Sequence, residues 1–303
     1  MKRVLVTGAS GFVGRASLAP LLARGYEVHG VSFGRAGPPI DGVCWHRADL
    51  LDANATTALC RSIAATHLLH FAWYAVPGRF WRALENFGWV RASLSLLEAF
   101  RASGGQRAVL AGTCAEYAWT GAPCDEQITP LDPATTYGVC KRSTGALAQA
   151  FAQETGLSLA WGRIFFPYGP GEYEERLTSY VVRSLLSGQA AECTAGTQVR
   201  DLIYIDDLGD AFAALLDSPV EGSVNVASGI AMPLADFLTD IAQRSGRPEL
   251  LRLGARPMPA GEAVAVTAAV DRLHREVGWF PRTGLSEGIE RTIAHWRGEV
   301  LRS

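Results

Sequence analysis

A chain of 303 residues with 48% hydrophobic and 19% charged composition has ample material for a buried core and too little charge for disorder. Its net charge is −2, from 28 Lys+Arg against 30 Asp+Glu, with no long block of either sign, which argues against a nucleic-acid-binding face. Only Lys2 and Lys141 among the basic residues are lysines; genome composition explains the shortage but not why Lys141 is retained.

The six cysteines, Cys44, Cys60, Cys114, Cys124, Cys140 and Cys193, form no C-x-x-C pair and have no histidine at ligand spacing, so no metal site is expected. The opening MKRVLVTGAS reaches glycine too early for a signal segment. No apolar run approaches the roughly 20 residues of a bilayer span. A soluble, cytoplasmic protein with reduced thiols and no membrane partner is expected.

In chain order, compact apolar runs at 3–7, 27–32, 43–46, 67–72, 107–111 and 157–164 predict strands. Stretches with helical spacing lie between or beside them at 12–24, 53–65, 84–102 and 137–155. Near-continuous apolar strands alternating with helices indicate parallel pairing through right-handed crossovers. The fold class is therefore α/β, a Rossmann-type doubly wound parallel sheet. After Pro167 the pattern loosens into a turn-rich acidic loop (168–175), a helix at 177–187, short strands and helices, and a Gly/Pro/Arg-rich surface loop at 246–259. We expect a core over residues 1–166, joined by 199–217, and a smaller C-terminal substrate-binding lobe over the rest of 167–303.

The first strand runs into T-G-A-S-G-F-V-G, with Gly8, Gly11 and Gly14 in G-x-x-G-x-x-G spacing. Such a turn lets backbone approach a pyrophosphate and leaves helix N–H groups for its oxygens. The second strand ends in Ser32, Phe33, Gly34 and Arg35, without the acid that would take an NAD ribose hydroxyl. Ser32 and Arg35 suit a 2′-phosphate, so NADP(H) is expected over NAD(H). Asp49, in A-D-L after the third strand, is placed at the adenine edge.

Tyr137 and Lys141 form Y-x-x-x-K, one helical turn apart on one face, where a cation lowers a phenol pKa for proton exchange. Thr113, at the carboxyl edge of the fifth strand, is positioned to hydrogen-bond a substrate carbonyl. His67 and His70 read as locally hydrogen-bonded, Met232 and Met258 as packing residues. Trp73, Trp81 and Trp119 are expected to gather at the cleft.

Together these segments resemble the extended short-chain dehydrogenase/reductase family, in its NAD-dependent epimerase/dehydratase branch acting on nucleotide sugars. The resemblance is carried by 7–14, by the Thr113–Tyr137–Lys141 triad, and by E-Q-I-T-P-L-D-P-A-T-T-Y-G (126–138). It continues through R-I-F-F-P-Y-G-P-G (163–171), V-R-D-L-I-Y-I-D-D-L (199–208), V-G-W-F-P (277–281) and L-S-E-G-I (285–289). It implies that Arg200, with Arg176, grips a sugar-nucleotide diphosphate. The expected cofactor set is Gly8, Ser10, Gly11, Phe12, Val13, Gly14, Ser32, Arg35, Asp49, Leu50, Phe71, Ala72, Tyr137, Lys141 and Phe165. The expected substrate set is Trp73, Glu116, Phe166, Arg176 and Arg200. The family's dimer of four bundled helices implies a homodimer through 84–102 and 137–155.

Departures narrow the chemistry. Cys114 and Ala115 stand where 4,6-dehydratases carry an Asp-Glu pair, and Glu116 lies one place beyond. Phe166 replaces an asparagine of the loop after the sixth strand. W-V-R-A-S (89–93) replaces N-V-x-G-T, its asparagine lost or displaced to Asn86. The sequence therefore favours an NADPH-dependent reductase of a nucleotide-linked 4-keto-6-deoxyhexose. The alternatives are a 4-epimerase with tightly bound NAD and a non-catalytic NADP(H)-sensing protein of the same fold.

Overall fold

The structure, a computed structural model, describes residues 2–34, 37 and 39–300. Its elements begin with β1 (Arg3–Thr7), α1 (Phe12–Ala23), β2 (Glu27–Ser32), β3 (Val43–Arg47), α2 (Ala53–Ile63), β4 (His67–His70) and α3 (Glu85–Ala102). There follow β5 (Arg107–Thr113), α4 (Thr136–Thr155), β6 (Ser158–Ile164), β7 (Phe166–Tyr168), α5 (Leu177–Leu186), β8 (Ala191–Glu192) and β9 (Val199–Tyr204). The chain closes through α6 (Ile205–Asp217), β10 (Gly222–Val226), β11 (Ala231–Pro233), α7 (Leu234–Arg244), β12 (Leu251–Arg252), β13 (Ala265–Val266) and α8 (Leu285–Val300).

Among the described residues seven parallel strands form one sheet in the order β10-β6-β5-β4-β1-β2-β3. Alternate side chains of β1 serve opposite faces: Val4 and Val6 join the layer containing α1 and α6, and Leu5 joins that of α2, α3 and α4. Burial on both sides is why these strands read as unbroken apolar runs. Strand order reverses between β1 and β4, so the crevice outside their carboxyl ends is the topological switch point where α/β sheets bind ligands.

The segment 199–217 divides between the two sheets. Helix α6 packs on α1 in the core, but β9 pairs with β7, β11 and β13 in a second, four-stranded sheet. Arg200 and Asp201 suit a strand beside a polar cleft better than one in a sheet covered on both faces. The added core strand is β10, whose S-V-N-V pairs with β6. Helices α5, α7 and α8 pack together beside the second sheet. Among the described residues no helix is long and apolar enough to cross a membrane, and no group of three or more His, Cys, Asp or Glu could hold a metal ion.

Candidate active site

The glycine turn sits at the switch point. Gly8 adopts φ +67°, and a Cβ there would meet the Ala72 nitrogen at 2.8 Å. A Cβ on Gly14 would lie 2.2 Å from the Gly8 carbonyl oxygen, so α1 can approach β1 this closely only as glycine. Gly11, the residue before α1, donates to Gly8 O at 3.0 Å and supplies no side-chain cap, leaving the first helical N–H groups directed at the crevice. A cavity of about 320 Å³ on one side is lined by Ser10, Ser32, Asp49 and Leu50; one of about 350 Å³ on the other by Phe12, Val13, Gly14, Phe71 and Arg176. Gly8, Gly11, Ala72 and Trp73 line both. This cradle fits a dinucleotide, whose adenosine would lie toward Ser32 and whose diphosphate would lie at the α1 N-terminus. Arg35 lies outside the described residues.

Tyr137 stands in the first turn of α4, which Thr135 caps by accepting from Gly138 N at 3.1 Å. Its ring is boxed by Phe80 (4.8 Å between centroids), Trp81 (5.8 Å) and Trp73 (6.5 Å), all edge-on. Burial raises the phenol well above its ordinary pKa, with a hydrogen bond from Thr113 and the Arg176 charge acting in the other direction. Thr113 ends β5 and brings its hydroxyl to this phenol, so two members of the expected triad meet at the strand end.

Lys141 lies one turn further along α4, buried, its Nζ donating to Ala111 O at 2.9 Å and seated 3.9 Å from the Trp73 ring centroid. Burial lowers its pKa to about 7, opposed by the Glu116 charge. The expected lowering of the Tyr137 pKa is therefore not the state of this structure. Desolvation of the phenol dominates, and the ammonium is directed at an indole face and a carbonyl.

Other expectations need correction. Glu116 is 1% exposed and closes a capping box by accepting from Thr113 N at 2.8 Å. Its oxygens also accept from Trp161 Nε1 at 2.9 and 3.1 Å and from Arg163 Nε at 2.8 Å, which leaves it a structural group rather than a sugar contact. Phe165 is buried among Cys114, Tyr117, Cys124, Ala227 and Val266, so its side chain serves the core instead of the cofactor. Arg200 is ion-paired with Glu262 and lies 5.3 Å over the Phe166 ring. Arg176 faces the glycine-turn cavity instead, its Nε donating to the buried Glu172 at 2.8 Å. Trp119 donates to Cys114 O at 2.9 Å, while Trp73 and Trp81 flank Tyr137. His70 bridges Thr7 Oγ1 (2.6 Å) and Ser93 Oγ (2.8 Å), the local role expected of it. Sequence reading missed Trp161, Arg163 and Glu262, because a partner tens of residues away leaves no spacing signal, and missed Glu172 although its partner Arg176 is four residues on.

The model of the NAD dependent epimerase/dehydratase family matches residues 4–227, which include the glycine turn and the whole triad. The chain belongs to this family. It is 28% identical to UDP-glucuronate 4-epimerase 3 of Arabidopsis thaliana, over 97% of this chain and 76% of that protein. It is 27% identical to UDP-glucose 4-epimerase of Corynebacterium glutamicum, over 92% and 91%. The crystal structure of Thermus thermophilus UDP-glucose 4-epimerase in complex with NAD superposes with a TM-score of 0.85 at 27% identity, covering 98% of this chain and 99% of the other. The chain is thus an enzyme of the NAD dependent epimerase/dehydratase family, and its doubly wound sheet is that of its structural neighbours.

Proposed function

We propose that the protein is a nucleotide-sugar 4-epimerase that uses NAD. The observation that carries the reading is the pairing of Thr113 with Tyr137, with Lys141 one turn on along α4 and Trp73 touching both Tyr137 and Lys141 while lining the glycine-turn cavities. The three relatives named above, each a 4-epimerase at 27–28% identity, favour net epimerisation over net reduction. A nicotinamide bound in this cleft supplies reversible hydride acceptance. Tyr137 takes the proton of the sugar C4 hydroxyl as the C4 hydrogen leaves as hydride, giving a 4-keto sugar. It returns the proton when hydride comes back to the opposite face. The raised phenol pKa holds Tyr137 neutral and protonated in this structure, so it must first release that proton to solvent, as substrate and cofactor change its surroundings, before it can take the C4 hydroxyl proton. Thr113 orients the C4 oxygen, and Lys141 holds the cofactor ribose. Arg200 binds the substrate diphosphate, so that the remote nucleotide positions the sugar. Arg176 serves the diphosphate side of the glycine turn. The exposed Phe87 of α3 and the exposed Val139 and Leu147 of α4 support a homodimer through these helices.

A second reading, NADPH-dependent reduction of a 4-keto-6-deoxyhexose, is favoured by one observation: β2 ends on Ser32 at the adenosine cavity, with no carboxylate on that strand end. Dehydration has no support, because Cys114 and Ala115 are buried and offer no acid–base pair. The deciding experiment supplies purified protein with UDP-glucose, UDP-galactose and UDP-glucuronate, and separately with NADPH and a nucleotide-linked 4-keto-6-deoxyhexose. Interconversion of C4 epimers without net change in nicotinamide absorbance, lost in Tyr137→Phe, is expected. Stoichiometric NADPH consumption with no epimer exchange would overturn it in favour of the reductase.

A further inference from the structure

We propose that Trp73, locked in place by Asn86, is the positioning residue of Lys141: its indole face fixes the ammonium and stabilises its charged form at the edge of the cofactor cleft. Trp73 follows β4 in H-F-A-W, and its Nε1 donates to Asn86 Oδ1 at 2.8 Å. Asn86 is fully buried, and its own amide donates to Phe80 O and Ala83 O, each at 2.8 Å. The indole is thereby tied to two backbone carbonyls through one side chain. Its face meets Lys141 Nζ at 3.9 Å, well inside the roughly 6 Å range of a cation–π contact, for which tryptophan is the strongest partner.

The rest of the lysine's surroundings leave it dependent on that ring. The ammonium's protein acceptor is Ala111 O in β5, at 2.9 Å. The carboxylate that acts on it is Glu116, whose charge Arg163 already engages at 2.8 Å. His70 in β4 is held neutral, with a pKa near 3, by burial and then by Lys141 itself. Tyr137 on the same helix is neutral as well. Burial lowers the lysine pKa against the Glu116 charge, and the indole face at 3.9 Å favours the charged form in the same sense as Glu116. Because Trp73 also lines both cavities at the glycine turn, the same ring walls Lys141 on the cofactor side.

With only Lys2 and Lys141 in the chain, ¹³Cε-lysine labelling gives a direct readout. Lys2, paired with Asp217 at the surface, is the reference signal. In the whole protein Lys141 is expected to titrate near 7, and Trp73→Leu to lower that midpoint by about 0.4–1.5 pH units while Lys2 stays fixed. Trp73→Phe, which keeps a weaker ring and loses the Asn86 bond, lowers it less, and decides the matter if the leucine variant does not fold. Asn86→Leu, which frees the indole, shifts it in the same direction. An unchanged or raised Lys141 midpoint in a natively folded Trp73 variant overturns the proposal. The alkaline limb of kcat/KM should move with the titration. That consequence rests on the role given to Lys141 above, so a shifted titration with an unmoved limb would fault that role and leave the contact standing.

Discussion

Replacing Glu116 by glutamine tests whether this residue is scaffold or substrate contact. The side chain keeps its shape but loses its charge and turns one acceptor oxygen into a donor. That oxygen now faces donors: Trp161 Nε1 at 2.9–3.1 Å, Arg163 Nε at 2.8 Å and Thr113 N at 2.8 Å. The guanidinium of Arg163 has side-chain exposure of 5% and would remain buried without its counter-charge. Coulomb attraction at 2.8 Å with an effective dielectric near 20 is about 6 kcal/mol before desolvation. Measured losses on removing one partner of a buried pair are about 3–5 kcal/mol, the range to expect here. Tyr117, whose hydroxyl accepts from Arg163 at 2.8 Å, offsets a fraction of it.

Urea unfolding followed by tryptophan fluorescence, beside steady-state kinetics, measures both sides. Glu116→Gln should lose about 3–5 kcal/mol of stability while KM for the nucleotide sugar changes less than about twofold. Its kcat should fall, because the Glu116 charge supports the protonated form of Lys141. Replacing both partners by apolar residues, Glu116→Leu with Arg163→Met, should recover much of the lost stability, since no buried charge is left unpaired. A glutamine variant as stable as the parent but with a tenfold higher KM would refute the reasoning and return Glu116 to the substrate site.

Two further outcomes follow from burial. Lys141→Arg preserves charge, but a planar fork cannot occupy the 3.9 Å seat over Trp73 and also donate to Ala111 O; kcat should fall about a hundredfold or more, measured in an epimerisation assay with folding checked by circular dichroism. Glu172 is raised from its ordinary 4.5 to about 7, primarily by burial, with Arg176 opposing. Between those values the folded chain holds a proton that the unfolded chain has released, so stability falls as pH rises through this window. Glu172→Gln removes that dependence. The urea stability of the parent minus that of the variant should therefore shrink by on the order of 2–3 kcal/mol from pH about 4.5 to about 7. A difference that grows with pH would instead show the Arg176 ion pair dominating.

The strands of the main sheet were legible because burial on both faces writes them as apolar runs, and β1 and β2 begin and end where the sequence places them. The run at 67–72 was read too long: β4 ends at His70, and Phe71 and Ala72 turn to line the cofactor cavities. The run at 107–111 was read too short, since β5 continues through Gly112 to Thr113 and carries that residue's hydroxyl to the sheet edge. In the site, the glycine turn and the Tyr137–Lys141 pair had a signal in local spacing, and Thr113 had one in its place at a strand end. Glu116 and Phe165 were misjudged because their partners come from distant segments, and the Glu262 partner of Arg200 left no local signal for the same reason.

The sequence by itself determined the parallel core from its apolar runs, and the glycine turn and the Tyr137–Lys141 spacing from residues a few positions apart. Only the tertiary structure decided what surrounds those groups. It put β9 in the second sheet, gave Glu116 to Arg163 and Trp161, turned Arg176 toward the glycine turn, and set Lys141 on the face of Trp73. The physical reason is that periodicity and turn chemistry are local. Desolvation and charge pairing are set by every segment that folds around a group, and they decide which side chains remain free to meet a substrate.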